Sequence, residues 1–196
     1  ESTDTTSSDL TKVGEHTGIH ADAADITDTV IYRPVGAYRI SYATGNEPAH
    51  AQKEIAYLND PTNPTAIASP TAILPYVEGL EPKDARGQVL NLVDPLDETK
   101  GYLLPSPDSP TADTAITYAI SKGSVRVRFL IEGSDTDLQE AQDLATEVDF
   151  GTKYTSEAPT EITKDGRIYH LVGHRADSAD PSGTVTKGMK TVIYDY

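Results

Sequence analysis

Asp28-Thr-Val-Ile-Tyr32, Asp113-Thr-Ala-Ile-Thr-Tyr118 and Lys190-Thr-Val-Ile-Tyr194 are three versions of one short pattern, in which apolar and polar residues alternate up to a closing tyrosine. Alternation with period two is the mark of a strand that buries one face. The tyrosines stand 86 and then 76 residues apart. A strand recurring at domain-sized spacing points to tandem modules, each finished by an equivalent strand. Such modules suit reach and repeated binding more than catalysis.

Two modules in 196 residues leave each with a thin core, and only 37% of the residues are apolar. Tyrosine supplies 11 of the 13 aromatics; its ring packs while its hydroxyl reaches water, which suits a thin sheet. The 24 threonines favour strands over helices. Formal charge is −15, with 18 acids and 7 bases up to residue 119 and 13 acids and 9 bases after it. A chain this acidic repels phosphate backbones and anionic lipid, so neither nucleic acid nor a membrane surface is an expected partner. Cysteine is absent, which excludes disulfides, zinc thiolates and thiol nucleophiles. No apolar run is long enough to span a bilayer. The polar start from Glu1 to Asp9 reads as an excised fragment of a larger protein.

Along the chain, residues 1–27 read as an irregular flanking segment leading into a strand at 28–33 that Pro34 ends. Tyr38–Tyr42 alternates as a strand, Gly45-Asn46 offers a turn, and Gln52–Leu58 can pair back. Nine prolines between 59 and 110 forbid a long helix or a central strand there. The first module is thus 1–119 and the second 120–196. In the second, Val125–Ile131 places Val125, Val127, Phe129 and Ile131 on one face. Leu144–Phe150 reads as a second strand ended by Gly151, and Thr155–Ile162 as a short capped helix. Asp165-Gly166 is a turn, Arg167–Arg175 a third strand, and Thr184–Tyr196 supplies the rest. The expected class is mainly β (α+β), with two elongated tandem domains. At least the second would be a small mixed sheet under one helix, a β-grasp (ubiquitin-like) arrangement.

Pro75-Tyr76-x-x-Gly79-x-x-Pro82 is followed by Asp94-Pro95-x-Asp97-x-Thr99-Lys100-Gly101-Tyr102, then Pro105, Pro107, Pro110 and Asp113-Thr114-x-Ile116-x-Tyr118. Together with Gly151-x-x-Tyr154 and Asp165-Gly-Arg-x-Tyr169, this resembles the mucus-binding (Mub, or MucBP-type) repeats of lactobacillus cell-wall adhesins, over about residues 28–196. Leu80 departs from the aromatic such repeats often carry there, and Glu132-Gly-Ser-Asp135 from their Asp-Gly turn. The resemblance implies an extracellular, cell-wall-anchored, non-catalytic adhesion repeat binding mucin glycans of host mucus. Some members of the family bind immunoglobulin through a protein-L-like β-grasp surface.

Several constellations bear on sites. Asp135, Asp137 and Glu140, with Asp143, offer oxygen ligands that would suit calcium, but the spacing lacks the glycine and closing glutamate of an EF-hand, and a solvated acidic loop is the preferred reading. Asp94, Asp97 and Glu98 read as turn residues. His170 and His174 fall on one face of a strand, too far apart for one metal ion. Arg126 and Arg128 share the face opposite Val125, Val127 and Phe129. They either cover a solvated face or meet the acidic groups of sialylated or sulfated mucin. No nucleophile elbow or phosphate-cradling loop occurs, so no enzyme activity and no cofactor other than calcium are expected. Three functions compete: mucin-glycan adhesion, immunoglobulin capture by strand addition, and a passive stalk or spacer.

Overall fold

The computed structural model describes residues 10–12, 32–34, 36–57, 72–109 and 111–196. Asp28–Ile31, the body of the first tyrosine-closed pattern, lies outside them, as does most of 1–27. The chain divides into two units: Glu1–Val77 with Glu81–Ala119, and Glu78–Leu80 with Ile120–Tyr196. It is mainly β, and among the described residues the only helical turn is a 3-10 turn at Glu98–Lys100.

In the first unit β1 (Leu10–Lys12) pairs with β2 (Tyr32–Pro34), Leu10 opposite Pro34. Pro34 is the last residue of β2, where the strand was expected to end. Then come β3 (Ala37–Tyr42), β4 (Glu54–Ala56), β5 (Ile73–Leu74), β6 (Leu80–Lys83), β7 (Tyr102–Leu103) and β8 (Thr114–Ile120). The main sheet runs β4-β3-β8-β6, with β3 and β8 parallel at its centre. Tyr38, Ile40, Ile116 and Tyr118 are buried in its core. Proline density limits the 72–109 region to two- to four-residue strands, as expected.

The second unit holds β9 (Lys122–Leu130), β10 (Gln142–Asp149), β11 (Lys153–Thr155), β12 (Glu161–Lys164), β13 (Arg167–His170), β14 (Gly173–His174), β15 (Ser182–Thr184) and β16 (Gly188–Asp195). Its main sheet runs β10-β9-β16-β14, with β9 and β16 parallel. Val125, Val127, Phe129, Val192 and Tyr194 form its core with Leu138, Tyr154 and Ile162.

The segment expected to be a helix, 155–162, is extended. Pro159 removes a donor and clashes with a preceding helical turn, and long-range partners take the backbone groups a helix would use. Lys153–Thr155 pairs with Ser182–Thr184. Ser156 donates its N–H to the Pro181 carbonyl at 2.7 Å. The Tyr196 hydroxyl donates to the Pro159 carbonyl at 2.8 Å, and Tyr194 meets the Ser156 hydroxyl at 3.0 Å. Tyrosine hydroxyls thus tie an extended strap onto the sheet in place of a helix. The expected strand 167–175 also changes partners midway. Leu171 N–H donates to Thr160, on the β12 side, and Val172 N–H to Asp195 of β16.

Both main sheets have the same order: second strand, first, fourth, third. Register makes the likeness residue-specific. Tyr42 stands beside Tyr118, and Phe129 beside Tyr194; both aromatic pairs are stacked, at 4.8 Å and 6.2 Å between ring centres. Aligning Tyr42 with Phe129 places Gly36 on Gly123 and Arg39 on Arg126. Arg39 faces Glu54 on β4 and pairs with it, while Arg126 faces Asp143 on β10 and pairs with it at 3.3 Å. Both glycines lie where their strand approaches the neighbouring backbone too closely for a Cβ.

Candidate functional site

The most structured polar surface of the second unit is built on one turn and two arginines. Gly133, with φ of +71°, makes the turn after β9. Ser134 fixes it, donating its N–H at 3.0 Å and its hydroxyl at 2.9 Å to the Ile131 carbonyl. Arg128, on the outer face of β9, reaches over this loop and grips Asp137 through Nε at 3.0 Å and Nη2 at 2.7 Å. Lys164 from β12 donates to the Asp137 carbonyl. Arg175 follows β14 and takes Asp195 of β16 in its fork, Nε at 3.1 Å and Nη2 at 2.5 Å. Its Nη2 also donates to the Ser134 carbonyl at 2.9 Å. Charge-assisted forks of this kind are the strong class of hydrogen bond.

Between these groups lies an open cleft of about 410 Å³, lined by Gly133, Ser134, Asp135, Arg175, Asp177 and Asp195. Asp135 is largely exposed and stands 3.8 Å from the Arg175 guanidinium. One guanidinium against three carboxylates gives the cleft a formal charge of −2. Carboxylate acceptors around a fixed donor fork suit neighbouring hydroxyl groups, and repel anions.

Of the sequence-derived candidates, Asp137 belongs to the rim of this arrangement, but its carboxylate is taken by Arg128. Asp135 lines the cleft, and Glu140 is exposed and outside it. Among the described residues no three Asp, Glu or His side chains converge as a metal site, so Asp135, Asp137 and Glu140 are not brought together for calcium. Arg126 is paired with Asp143, and its Nε is buried without a partner. Arg126 and Arg128 do share a face, yet both are ion-paired within the chain, so neither is presented free to a sulfated or sialylated sugar. Asp94 and Asp97 are turn residues: Asp94 accepts from Leu96 N–H at 2.9 Å, and Asp97 from Thr99 N–H at 3.1 Å. His170 and His174 lie on separate strands, β13 and β14, and not on one: His170 pairs with Glu161 on β12 at 3.1 Å, while His174 meets the Ala179 carbonyl.

Arg175 and Asp195 were not singled out by sequence. Their contact spans 20 positions, and no local pattern announces it. The one available signal was an acid, Asp195, set between the buried tyrosines 194 and 196.

The Arg128 fork holds the Asp137 carboxyl below the usual carboxylate range, against the opposing effect of burial. A lowered folded value means the pair stabilises the fold above the unfolded value of about 3.9, and that this is lost as pH falls through the lower folded value. Both side chains are partly exposed, so Asp137→Asn is expected to cost about 1 kcal/mol or less at neutral pH. The cost should be smaller at an acid pH, as pH falls through the lowered folded value and the carboxyl protonates. Urea unfolding of wild type and variant at the two pH values measures the difference. A cost that persists unchanged in acid removes the ion pair as its cause.

No family model matches the chain, and neither does any curated protein or solved structure.

Proposed function

We propose that the chain is a non-catalytic adhesion repeat of a bacterial cell surface that binds host mucus glycoproteins through their glycans. The duplicated sheet is the observation that supports this most. Two units with one strand order, one glycine approach, one cross-strand arginine–carboxylate pair and one aromatic stack describe a repeated module, and repetition raises avidity for a ligand that is itself repetitive. The order of both sheets, with the first and last strands parallel at the centre, favours a β-grasp-like ancestry in which an extended strap stands where the helix would be. The resemblance of 75–118 to mucus-binding repeats points the same way.

The Arg175 cleft, about 410 Å³, is the site offered to such a ligand. Its net negative charge favours neutral sugars over the sialylated or sulfated ones that Arg126 and Arg128 suggested. The test is binding of the whole chain to immobilised mucin before and after enzymatic removal of glycans. Binding should fall with the glycans. It should also fall several-fold with Asp135→Asn combined with Asp177→Asn, both outside the core. No binding to intact mucin would end the proposal.

Immunoglobulin capture by strand addition would use the edge strand β10. Two features weigh against it: register shifts along its pairing with β9, and the acids Asp143, Glu147 and Asp149 on it. Bulges and charges are how edges avoid adding strands.

A further inference from the structure

In the first unit, β5, β7 and the segment Val89–Val93 form a small antiparallel sheet. Ile73 stands opposite Leu103 and Leu74 opposite Tyr102. Tyr102 bridges to Leu92. Leu103 N–H donates to Asn91 at 2.8 Å and Val93 N–H to Gly101 at 3.0 Å. Opposed residues share a face and successive ones alternate. One face therefore carries Leu74, Leu90, Leu92 and Tyr102, and it faces the core: Leu74, Leu90 and Tyr102 are buried. The other carries Ile73, Val89, Val93 and Leu103 around Asn91, and these four aliphatic side chains are 37–49% exposed.

An antiparallel sheet with one wet face ordinarily alternates apolar-in with polar-out. This one is apolar on both sides. The loop joining its second and third segments adds Leu96, 97% exposed. That loop is already ordered: Asp94 accepts from Leu96 N–H at 2.9 Å and from Lys100 Nζ at 2.6 Å, and Asp97 N–H donates to the Asp94 carbonyl at 3.1 Å. A pre-ordered apolar tip loses little entropy when it is covered. Among the described residues, five of the nine exposed large apolar side chains fall in this one region, which scattered surface residues would not do.

Charge selects the occupant. Residues 72–109 hold seven acids and three bases, and one of those bases, Lys100, is held by Asp94. A second copy would bring the same excess of negative charge against itself, at a cost. We propose that this face docks a basic amphipathic segment of another protein, its apolar side on Ile73, Val93, Leu96 and Leu103 and its lysines or arginines toward the flanking acids. This partner is separate from any glycan bound by the second unit.

The probe is a synthetic amphipathic helix made only of leucine and lysine, titrated calorimetrically into the whole chain. Saturable binding is expected, weakened about tenfold or more by Leu96→Ser combined with Leu103→Ser. Ile168→Ser with Val172→Ser removes comparable exposed apolar surface from the second unit and should leave the affinity unchanged. Leu96→Ser alone, at a position with almost no contacts, should weaken binding with the unfolding midpoint unmoved, which separates docking from folding. A peptide with glutamate for lysine should not bind. Equal weakening by both double variants, no saturable binding, or sedimentation showing that Leu96 and Leu103 mediate self-association would each overturn the proposal.

Discussion

Gly123→Ala is expected to destabilise the second unit by about 3 kcal/mol or more, a large share of what a small module has to lose. A Cβ at this position would lie 1.9 Å from the Thr186 carbonyl oxygen and 2.9 Å from that of Gly188. Both are backbone atoms, so no side chain can swing aside. Relief requires β9 and the connection leading into β16 to move apart, which disturbs the central parallel pair of the sheet. Gly36→Ala makes the equivalent demand in the first unit, with a Cβ 2.0 Å from the Ala112 carbonyl oxygen. Gly183 is the control. Its Cβ would meet the Tyr154 hydroxyl oxygen at 3.4 Å, an ordinary contact, and Gly183→Ala should change stability by about 1 kcal/mol or less. Urea unfolding of the three variants, followed by circular dichroism, measures the ranking. If Gly123→Ala is as mild as Gly183→Ala, close approach is not why glycine occupies that position.

Tyr118→Ala should cost about 3–5 kcal/mol in the first unit, because it removes a fully buried ring from a thin core. The ring lies 4.8 Å from Tyr42, nearly parallel to it. Its hydroxyl donates to the Pro75 carbonyl at 2.7 Å. Burial pushes the phenol's pKa up, so it stays a donor across the physiological range. Tyr118→Phe keeps the stack and loses only that donor, for an expected cost of about 1–2 kcal/mol. Thermal unfolding of both variants separates ring packing from the hydrogen bond. A Phe variant as unstable as the Ala variant would mean that the Pro75 contact, and not the stack, carries the residue. Tyr38 behaves alike: its hydroxyl donates to the Pro105 carbonyl at 2.8 Å, and its pKa is pushed up to about 12, mainly by burial.

Much of the strand framework was legible because period-two alternation is local. Val125, Val127 and Phe129 announce a half-buried strand from their own spacing, and so do Tyr38 and Ile40. Segment 155–162 is extended against its local helix signals, for a physical reason. Its caps and early acids are real helix signals, but Pro159 and the hydroxyls of Tyr194 and Tyr196 outweigh them, and those hydroxyls arrive from more than 30 positions away. The three tyrosine-closed patterns are not all equivalent either. Tyr118 and Tyr194 do close equivalent strands, whereas Tyr32 lies on β2, outside the main sheet. The better correspondence, Tyr38-Arg-Ile-Ser-Tyr42 with Val125-Arg-Val-Arg-Phe129, is hidden by substitution between residues of like polarity.

The candidate sites divide along the same line. Arg126 and Arg128 were visible as a pair on one strand face, because strand geometry alone places them there. What each binds was not visible, since Asp143 and Asp137 reach them through the register of β10 and the turn at Gly133. Local pattern by itself determined a tandem, acidic, β-rich chain, with strands where apolar residues alternate and short extended pieces where proline is dense. Only the tertiary structure decided which strands lie side by side, that Arg175 takes Asp195 beside an open cleft, and that Ile73, Val93 and Leu103 gather on one exposed face. Periodicity is a property of neighbours in the chain, whereas ion pairs, clefts and sheet faces are made by residues the chain keeps far apart until it folds.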